Sequence, residues 1–236
     1  MRFDFTNARI LAVGAHPDDA ELLCAGTLAR AKAEGGIVGI CVLCRGDKGQ
    51  PGKPVADLSS VRRQEMRASA RLLGAQLFLG GFSDGTLVDS LAQRRVLTEI
   101  YRRFKPTLVL AHAPEDYHPD HRTASALAEA ASWFCASRGH KLRSPALAAA
   151  PELWWMDCLN MSGFVPGFFV DISEHLQLKT RMLACHKSQL QRGADPDFSP
   201  MAELLRLQAQ TRGSQSGVAA AEAFRTYHGF KRARAW

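Results

Sequence analysis

The 236 residues, 46% hydrophobic and 22% charged, have the composition of an ordinary globular protein and fit one domain, which we expect to span residues 1–236. The formal net charge is +7, but no basic stripe interleaved with aromatic residues accompanies it, so we expect no nucleic-acid partner. No apolar run reaches the roughly 20 residues that span a bilayer, and charges occur where a signal peptide is apolar, so we expect a cytoplasmic protein.

Strand and helix patterns alternate along most of the chain. Apolar runs predict strands over residues 10–15, 37–44, 76–79, 107–110, 153–156 and 167–172. Apolar residues at helical spacing predict helices over residues 20–33 and 59–73, one ending before Pro106, one beginning near His121 and one capped by Ser173. Residues 191–217 are interpreted as a turn-rich loop with one short leucine helix, and residues 222–236 as a basic tail.

This alternation predicts a Rossmann-like α/β fold with three layers, in which helices cover both faces of a mainly parallel, doubly wound sheet. In the common strand order 3-2-1-4-5, strands one and four are neighbours at the point where the winding reverses. Ligands bind there, outside the carboxyl ends of the strands. We therefore expect the residues that follow strands one and four to meet.

A cluster of histidines and carboxylates follows each of these two strands. The first is Ala15–Asp19, with the sequence Ala-His-Pro-Asp-Asp, and the second is Ala111–His121, which ends in His-Pro-Asp-His. The first cluster lacks the glycines that a pyrophosphate needs for close approach, and its carboxylates would repel phosphate. A nicotinamide or flavin enzyme is therefore disfavoured.

Imidazole and carboxylate groups at this spacing suit a zinc ion. His16 and Asp19 are three residues apart across a turn, and His118 and His121 are likewise three apart. A catalytic zinc ion takes three protein ligands and a water molecule, so the two clusters offer more groups than the metal needs. The surplus groups suit hydrolysis, which needs a base for the water and an acid for the leaving group. One cluster alone would be explained as a turn whose aspartate caps a helix, but two at neighbouring strand ends favour a metal site.

The six cysteines are expected to be reduced and structural. Cys41 and Cys44 have the spacing of a CxxC motif, but they lie in a predicted strand, where residues three apart point to opposite faces. This pair is therefore not expected to chelate a metal or to form a disulfide.

The two clusters resemble the signatures of the PIG-L/LmbE-like zinc-dependent N-deacetylases, a family that includes deacetylases of the mycothiol, bacillithiol and glycosylphosphatidylinositol pathways. The resemblance extends from about Ile10 to Phe224 and is carried most specifically by Ala15–Glu21 and His118–His121. Supporting matches are Cys44–Gly49, Arg62 with Glu65, Gly81–Gly85, Val170–Ser173, His186–Gln189 and Ala221–Phe224.

The resemblance implies a metal-dependent hydrolase that removes an acetyl group from an N-acetylglucosamine-type sugar or glycoconjugate. It implies that His16, Asp19 and His121 bind Zn²⁺ and that Asp18 is the general base for the zinc-bound water. Fe²⁺ or another divalent ion remains an alternative to zinc.

The resemblance also assigns the acid and the substrate contacts. It implies that His118, oriented by Asp120, stabilises the oxyanion or protonates the leaving amine, a role that suits the pKa of histidine. It implies contacts with the substrate sugar for three residues, which are Arg62, Asp84 and Asp47.

Several alternatives stay open. The substrate could be a non-sugar natural-product amide, or the chain could be a silent sugar-binding subunit. Arg62 could instead pair with Glu65 on a helix surface, Asp84 and Asp47 could be ordinary turn residues, and His186 is favoured as structural. Specificity is expected in the loops after strands two and three and in residues 191–217. Whether the chain forms a homo-oligomer is left open, and no role is assigned to Cys24, His112 or Tyr117.

Overall fold

The computed structural model describes residues 4–194 and 200–229. In these residues seven strands form one sheet, and parallel pairing joins the first five. The strands are β1 (Arg9–Gly14), β2 (Ile37–Cys44), β3 (Gln76–Phe82), β4 (Leu108–His112), β5 (Glu152–Met156), β6 (Phe168–Asp171) and β7 (Ala221–Thr226). Their order in the sheet is β3-β2-β1-β4-β5-β7-β6, so the predicted α/β fold and the predicted order of the first five strands are confirmed.

Helices pack on both faces of this sheet. They are α1 (Asp19–Leu23), α2 (Ala25–Ala33), α3 (Leu58–Leu73), α4 (Leu91–Phe104), α5 (Pro119–Phe134), α6 (Leu176–Leu183), α7 (Lys187–Leu190) and α8 (Met201–Ser216). Successive residues of β1 alternate between two apolar cores: Ile10 packs with residues of α2, α3 and α6, whereas Leu11 packs with residues of α4 and α5. The two cores are the two faces of one sheet.

The register of the central strands brings the two clusters together. β1 pairs in parallel with β4, with Ile10 opposite Leu108 and Val13 opposite Ala111. Both strands therefore end at the same edge of the sheet, and the turns that leave them are neighbours. This is the position that the doubly wound strand order predicts.

Two predictions for the C-terminal third are wrong. Residues 222–226, interpreted as part of a basic tail, belong to β7, which lies antiparallel between β5 and β6. The charge of Glu222 concealed this strand, because its carboxylate is buried and accepts hydrogen bonds from Gly26 N and Thr27 N. The predicted short leucine helix is the 16-residue α8. Of the rest of the predicted tail, residues 227–229 follow β7 without regular structure, and residues 230–236 lie outside the described residues.

Helix ends differ from the predictions by a few residues. The helix predicted over residues 20–33 is divided at Cys24 into α1 and α2. The N-cap of α3 is Asp57, whose carboxylate accepts from Ser60 N. α6 begins three residues after Ser173, because the Ser173 hydroxyl donates to Asp171 Oδ1 at 2.6 Å and does not cap the helix. No helix in the described ranges combines the length and apolar character that crossing a membrane requires.

Candidate metal centre

The first cluster forms the turn between β1 and α1. A Cβ atom on Gly14 would lie 2.9 Å from Asp19 Cβ, so the close approach of this turn to the strand end requires glycine. Asp18 has a φ of 98°, which is unusual for a residue with a side chain, and the His16 backbone N–H donates to Asp19 Oδ2 at 2.7 Å. The turn places the side chains of His16, Asp18 and Asp19 in the lining of one cavity.

The second cluster forms the start of α5. His118 is the N-cap residue: its Nδ1 atom accepts a hydrogen bond from the Asp120 backbone N–H at 3.1 Å, and Pro119 follows at the first helical position. Asp116 Oδ1 accepts from the His118 backbone N–H at 2.9 Å and fixes the entry into the helix. His118 and His121 consequently line the same cavity as His16.

The three predicted metal ligands, His16, Asp19 and His121, place their ligand atoms close together. His16 Nδ1 lies 3.3 Å from His121 Nε2 and 3.9 Å from Asp19 Oδ2, and His121 Nε2 lies 3.4 Å from Asp19 Oδ1. His16 Nε2 contacts Asp120 Oδ2 and His121 Nδ1 contacts Asp116 Oδ1, both at 3.0 Å. Because these carboxylates accept from the outer ring nitrogens, the inner nitrogens present lone pairs to each other and to Asp19. A cation between them relieves the repulsion.

The spacing and charge of these atoms fit a zinc ion. With zinc–ligand distances of about 2.0–2.2 Å, tetrahedral ligands lie about 3.3–3.6 Å apart. The distances of 3.3 Å and 3.4 Å from His121 Nε2 lie in this range, and the 3.9 Å between His16 Nδ1 and Asp19 Oδ2 is slightly longer. Two histidines and one carboxylate with a fourth position open form a typical catalytic zinc site. The local charge also favours a cation: burial opposes it, but the carboxylates of Asp19 and Asp116 raise the pKa of His121 to about 10.

The Asp120 carboxylate has different partners from those expected. Its Oδ2 atom contacts His16 Nε2 and accepts from the Gly85 backbone N–H at 2.8 Å, whereas its hydrogen bond to His118 comes from the backbone N–H. Asp120 therefore orients the imidazole of a predicted metal ligand, which differs from the expectation that its side chain orients His118. A carboxylate behind a ligating histidine commonly fixes the tautomer and the ring orientation.

Two residues that contact the predicted metal ligands were given no role from the sequence. His112 at the end of β4 lies with Nε2 2.9 Å from Asp19 Oδ2 and stacks on His121 with ring centroids 3.9 Å apart. Asp116 holds His121 Nδ1. Both are buried. The position of His112 at the end of a strand could have indicated that it lies at the site. The spacing of the residues could not indicate which imidazole the Asp116 carboxylate contacts.

Asp18, the predicted general base, is buried next to the ligands. Its Oδ2 atom has no hydrogen-bond partner among the described residues. Burial raises the pKa of Asp18 to about 7, with Asp19 acting in the same direction and the charges of His186 and Arg62 opposing them. The fully buried His186 lies with Nε2 3.4 Å from Glu21 Oε1, which accords with a structural role and also places it close enough to act on Asp18.

The cavity has a volume of about 540 Å³, and Arg62 forms part of its wall. The Arg62 guanidinium donates to Gln189 Oε1 and, at 3.1 Å, to the Gly49 carbonyl. Glu65, the alternative partner for Arg62, instead accepts from the Ser188 backbone N–H and hydroxyl, both at 2.7 Å. Arg62 thus faces the cavity and also ties the loop after β2 to α7.

The two predicted carboxylate contacts lie differently with respect to the cavity. Asp84 is among the described residues that line it, and Asp47 is not. Asp84 accepts from the backbone N–H groups of Gly46 at 2.8 Å and Lys48 at 3.0 Å. Asp47 in turn accepts from the Asp84 backbone N–H at 2.9 Å and from the Ser83 hydroxyl at 2.7 Å. The pair therefore joins the loops that follow β2 and β3.

Comparison with known proteins places this site in a family. Residues 11–132 match the PIG-L family model, described as GlcNAc-PI de-N-acetylase. The chain is 28% identical over 227 residues to a diacetylchitobiose deacetylase of Thermococcus kodakarensis, covering 92% of this chain and 82% of that protein. It is also 28% identical over 149 residues to a 4-oxalmesaconate hydratase of Pseudomonas putida, covering 60% of this chain and 58% of the hydratase.

A solved structure of similar size agrees with these matches. The crystal structure of a conserved protein from Thermus thermophilus superposes with a TM-score of 0.80 at 34% identity, covering 96% of this chain and 100% of that one. The family model spans both histidine and carboxylate clusters, which the fold brings to one cavity. The chain belongs to the PIG-L family.

Proposed function

We propose that the chain is a zinc-dependent N-deacetylase that removes the acetyl group from an N-acetylglucosamine-type sugar. The observation that carries this proposal is the convergence of His16 Nδ1, His121 Nε2 and the Asp19 carboxylate within 3.3–3.9 Å, beside the partnerless buried oxygen of Asp18. Family membership and the diacetylchitobiose deacetylase relative support the substrate class.

His16, Asp19 and His121 would hold the metal. When bound, a zinc ion polarises the amide carbonyl and lowers the pKa of a coordinated water to about 7. Asp120 and Asp116 hold the two imidazoles in the tautomer that leaves a lone pair for the metal. An Fe²⁺ ion has the same ligand preferences for imidazole and carboxylate and is an alternative at this site.

Asp18 suits the role of general base. Its carboxylate lines the cavity next to the ligand Asp19, and one of its oxygens is free to accept a proton from the attacking water. Because burial raises the pKa of Asp18 to about 7, the carboxylate is basic enough to take that proton near neutral pH.

His118 suits the role of hydrogen-bond donor to the reacting amide. Since its Nδ1 atom accepts from the Asp120 backbone N–H, the hydrogen of the neutral ring resides on Nε2. The ring lines the cavity, so this N–H can stabilise the oxyanion. To protonate the leaving amine the ring must first take up a second proton, because a neutral imidazole is too weak an acid. Burial and the nearby charges of His121 and His16 lower the pKa of His118, which keeps the ring neutral until a proton arrives.

Arg62 and Asp84 are proposed to bind the sugar hydroxyls, because both line the cavity and both are held by neighbouring loops. We assign Asp47 an indirect part in this binding. Its carboxylate accepts from the Asp84 backbone N–H, so it positions Asp84 and the loop that carries it.

Acetate release from a panel of N-acetylated sugars and non-sugar amides tests the proposal. We expect release from N-acetylglucosamine-type sugars by the metal-loaded protein and release about 10²–10⁴-fold slower by Asp18→Asn with its metal retained. Release from non-sugar amides alone would overturn the sugar assignment. Sugar binding without any acetate release would indicate a silent binding subunit.

Hydration of an unsaturated acid is a second candidate, favoured by the match to the Pseudomonas putida hydratase over 149 residues. Addition of water to a double bond also uses an activated water and a proton donor, which this cavity offers. Loss of the ultraviolet absorbance of an unsaturated dicarboxylate, measured with the same preparation, distinguishes the two reactions. We expect acetate release and no such loss.

A further inference from the structure

A second cavity, of about 300 Å³, lies between α3 and the edge strand β3. Its apolar wall includes Pro17 from the turn after β1, Cys44 at the end of β2, Met66 on α3 and Leu79 on β3. Pro17, Cys44 and Met66 are buried, whereas the Leu79 side chain is exposed. No described residue lines both this cavity and the cavity of the metal centre, so the two are separate.

The polar part of this lining is strongly basic. Arg45, Arg63 and Arg67 contribute to it, and no acidic side chain does so among the described residues. Arg63 and Arg67 are exposed and one turn apart on α3, a spacing at which like charges destabilise a helix. Within the described ranges neither guanidinium has a hydrogen bond or an ion pair, in contrast to Arg94, which pairs with Asp89. The fold therefore holds two unpaired cations beside an apolar wall.

These two features together define a class of ligand. Guanidinium groups bind carboxylate and phosphate oxygens through charge-assisted hydrogen bonds. Small-molecule sites typically have volumes of about 300–1,000 Å³ and combine a mainly apolar lining with a few polar groups. We propose that this cavity binds a small organic anion, with its carboxylate or phosphate head on Arg63 and Arg67 and its short apolar body against Met66 and Leu79. The body covers the exposed side chain of Leu79, which favours binding.

Arg45 connects this cavity to the metal centre. Its Nη2 atom lies 3.4 Å from Asp47 Oδ2, and Asp47 Oδ1 accepts from the Asp84 backbone N–H at 2.9 Å. An anion in the cavity attracts the same guanidinium and weakens its contact with Asp47, so Asp84 is held less firmly. Occupancy therefore weakens sugar binding and leaves the groups that act on the amide in place. This coupling rests on the proposed function, whereas the binding of the anion does not.

Calorimetric titration of the full chain with matched probes tests the binding. The probes are octanoate and octyl phosphate, which have a head and a body, 1-octanol, which has no charge, and inorganic phosphate, which has no apolar body. We expect one octanoate or octyl phosphate per chain, and the tighter of the two identifies the head group. If neither bound, or if 1-octanol or inorganic phosphate bound as tightly, the proposal would be overturned.

Variants on α3 assign the bound probe to this cavity. Arg67→Ala should weaken the tighter probe about tenfold or more, because a charge-assisted hydrogen bond is lost. The matched control is Arg71→Ala, at an exposed arginine one turn further along α3 and outside the described lining, and it should keep the affinity. Circular dichroism establishes that both variants are folded. Unchanged affinity in Arg67→Ala would place the probe elsewhere, such as on the catalytic metal, and would contradict the assignment.

Acetate release at increasing concentrations of the same probe tests the coupling. We expect KM for the sugar to rise to a plateau as the cavity fills, with kcat unchanged, and the rise to require about tenfold more probe in Arg67→Ala. An unchanged KM at saturation, or a rise without a plateau that is equal in both proteins, would overturn the coupling. A chain that releases no acetate without any probe contradicts the proposed function, while the titration still decides whether the second site exists.

Discussion

The two halves of the sheet use polar residues in different ways. In the parallel half, from β1 to β4, carboxylates and imidazoles follow the strand ends and face a common cavity. In the mixed half, from β5 to β7 with α6 and α8, charged residues are buried in pairs away from it. The Lys179 ammonium donates to Glu222 Oε1 at 2.6 Å, and Arg212 Nε donates to Asp157 Oδ2 at 2.7 Å.

The buried pairs connect elements that the sheet alone does not join. Glu222 on β7 accepts from the N–H groups of Gly26 and Thr27 at the start of α2 and from Lys179 on α6. This carboxylate thus fixes the last strand against two helices, and its charge suits the positive end of α2. The comparison teaches that one half supplies reactive groups, whereas the other half stabilises the walls around them. Substitutions in the two halves should therefore affect different measurements.

The largest effect is expected at a proposed metal ligand. His121→Ala removes the nitrogen that lies 3.3 Å from His16 Nδ1 and 3.4 Å from Asp19 Oδ1. We expect acetate release to fall to background and elemental analysis to find no bound metal. His140→Ala, at an exposed histidine, is the matched control and should keep both. If His121→Ala retained its metal in full, the assignment of the metal site to the strand ends of the parallel half would be contradicted.

A smaller loss is expected when only the base is removed. Asp18→Asn keeps the size of the side chain but cannot take a proton, and general-base catalysis is worth about 10²–10⁴-fold. We expect a fall in kcat within that range with the metal content unchanged. Asp89→Asn, at an exposed carboxylate, should leave kcat unaltered. An unchanged kcat for Asp18→Asn would remove Asp18 from the mechanism.

In the mixed half the effect should be on stability. Glu222→Gln leaves Lys179 without its buried counter-charge, and breaking such a pair costs about 3–5 kcal/mol. We expect the free energy of unfolding in urea to fall by this amount, while the metal content of the folded protein stays the same. Glu203→Gln on the exposed side of α8 should change stability little. Metal loss from folded Glu222→Gln would show that the two halves are not separable in this way.

The smallest effect is expected at the carboxylate that contacts the outer ring nitrogen of a proposed metal ligand. Asp116→Asn weakens the acceptor of His121 Nδ1, and loss of such a partner typically lowers metal affinity about 10–100-fold. Competition with a chelator measures this affinity. Glu115→Gln, at the neighbouring carboxylate that pairs with Arg225, should leave it unchanged. Equal affinities for Asp116→Asn and the unsubstituted chain would show that His121 is oriented by packing alone.

The same division explains how much the sequence could predict. Apolar runs and helical spacing led to the order of the first five strands, and that order placed His16 and His121 at one site, because parallel strands end at a common edge. β7 was missed, since Glu222 reads as a surface charge until Lys179 and the start of α2 are known to surround it. The spacing of residues in the sequence cannot indicate that a charged residue is buried by contacts with elements that are distant in the chain.

The sequence also could not predict the direction in which individual side chains point. Asp120 is adjacent to His121 and close to His118 in sequence, yet its carboxylate contacts His16 from a different turn. Its partners, His16 Nε2 and the Gly85 backbone N–H, belong to turns that the sheet brings to the start of α5, and the contact with His118 is made only by the Asp120 backbone N–H. Asp116 and His112 were unassigned for the same reason, because their partners are fixed by how α5 packs on the sheet.

The most direct test of the central claim is reconstitution of the metal-free protein. We predict that the chain stripped of metal releases no acetate from an N-acetylglucosamine-type sugar, and that activity returns in proportion to added zinc until one ion is bound per chain. Full activity in the metal-free protein, or zinc binding that leaves the hydrolysis rate at zero, would contradict the claim that these two turns join to hold a catalytic cation.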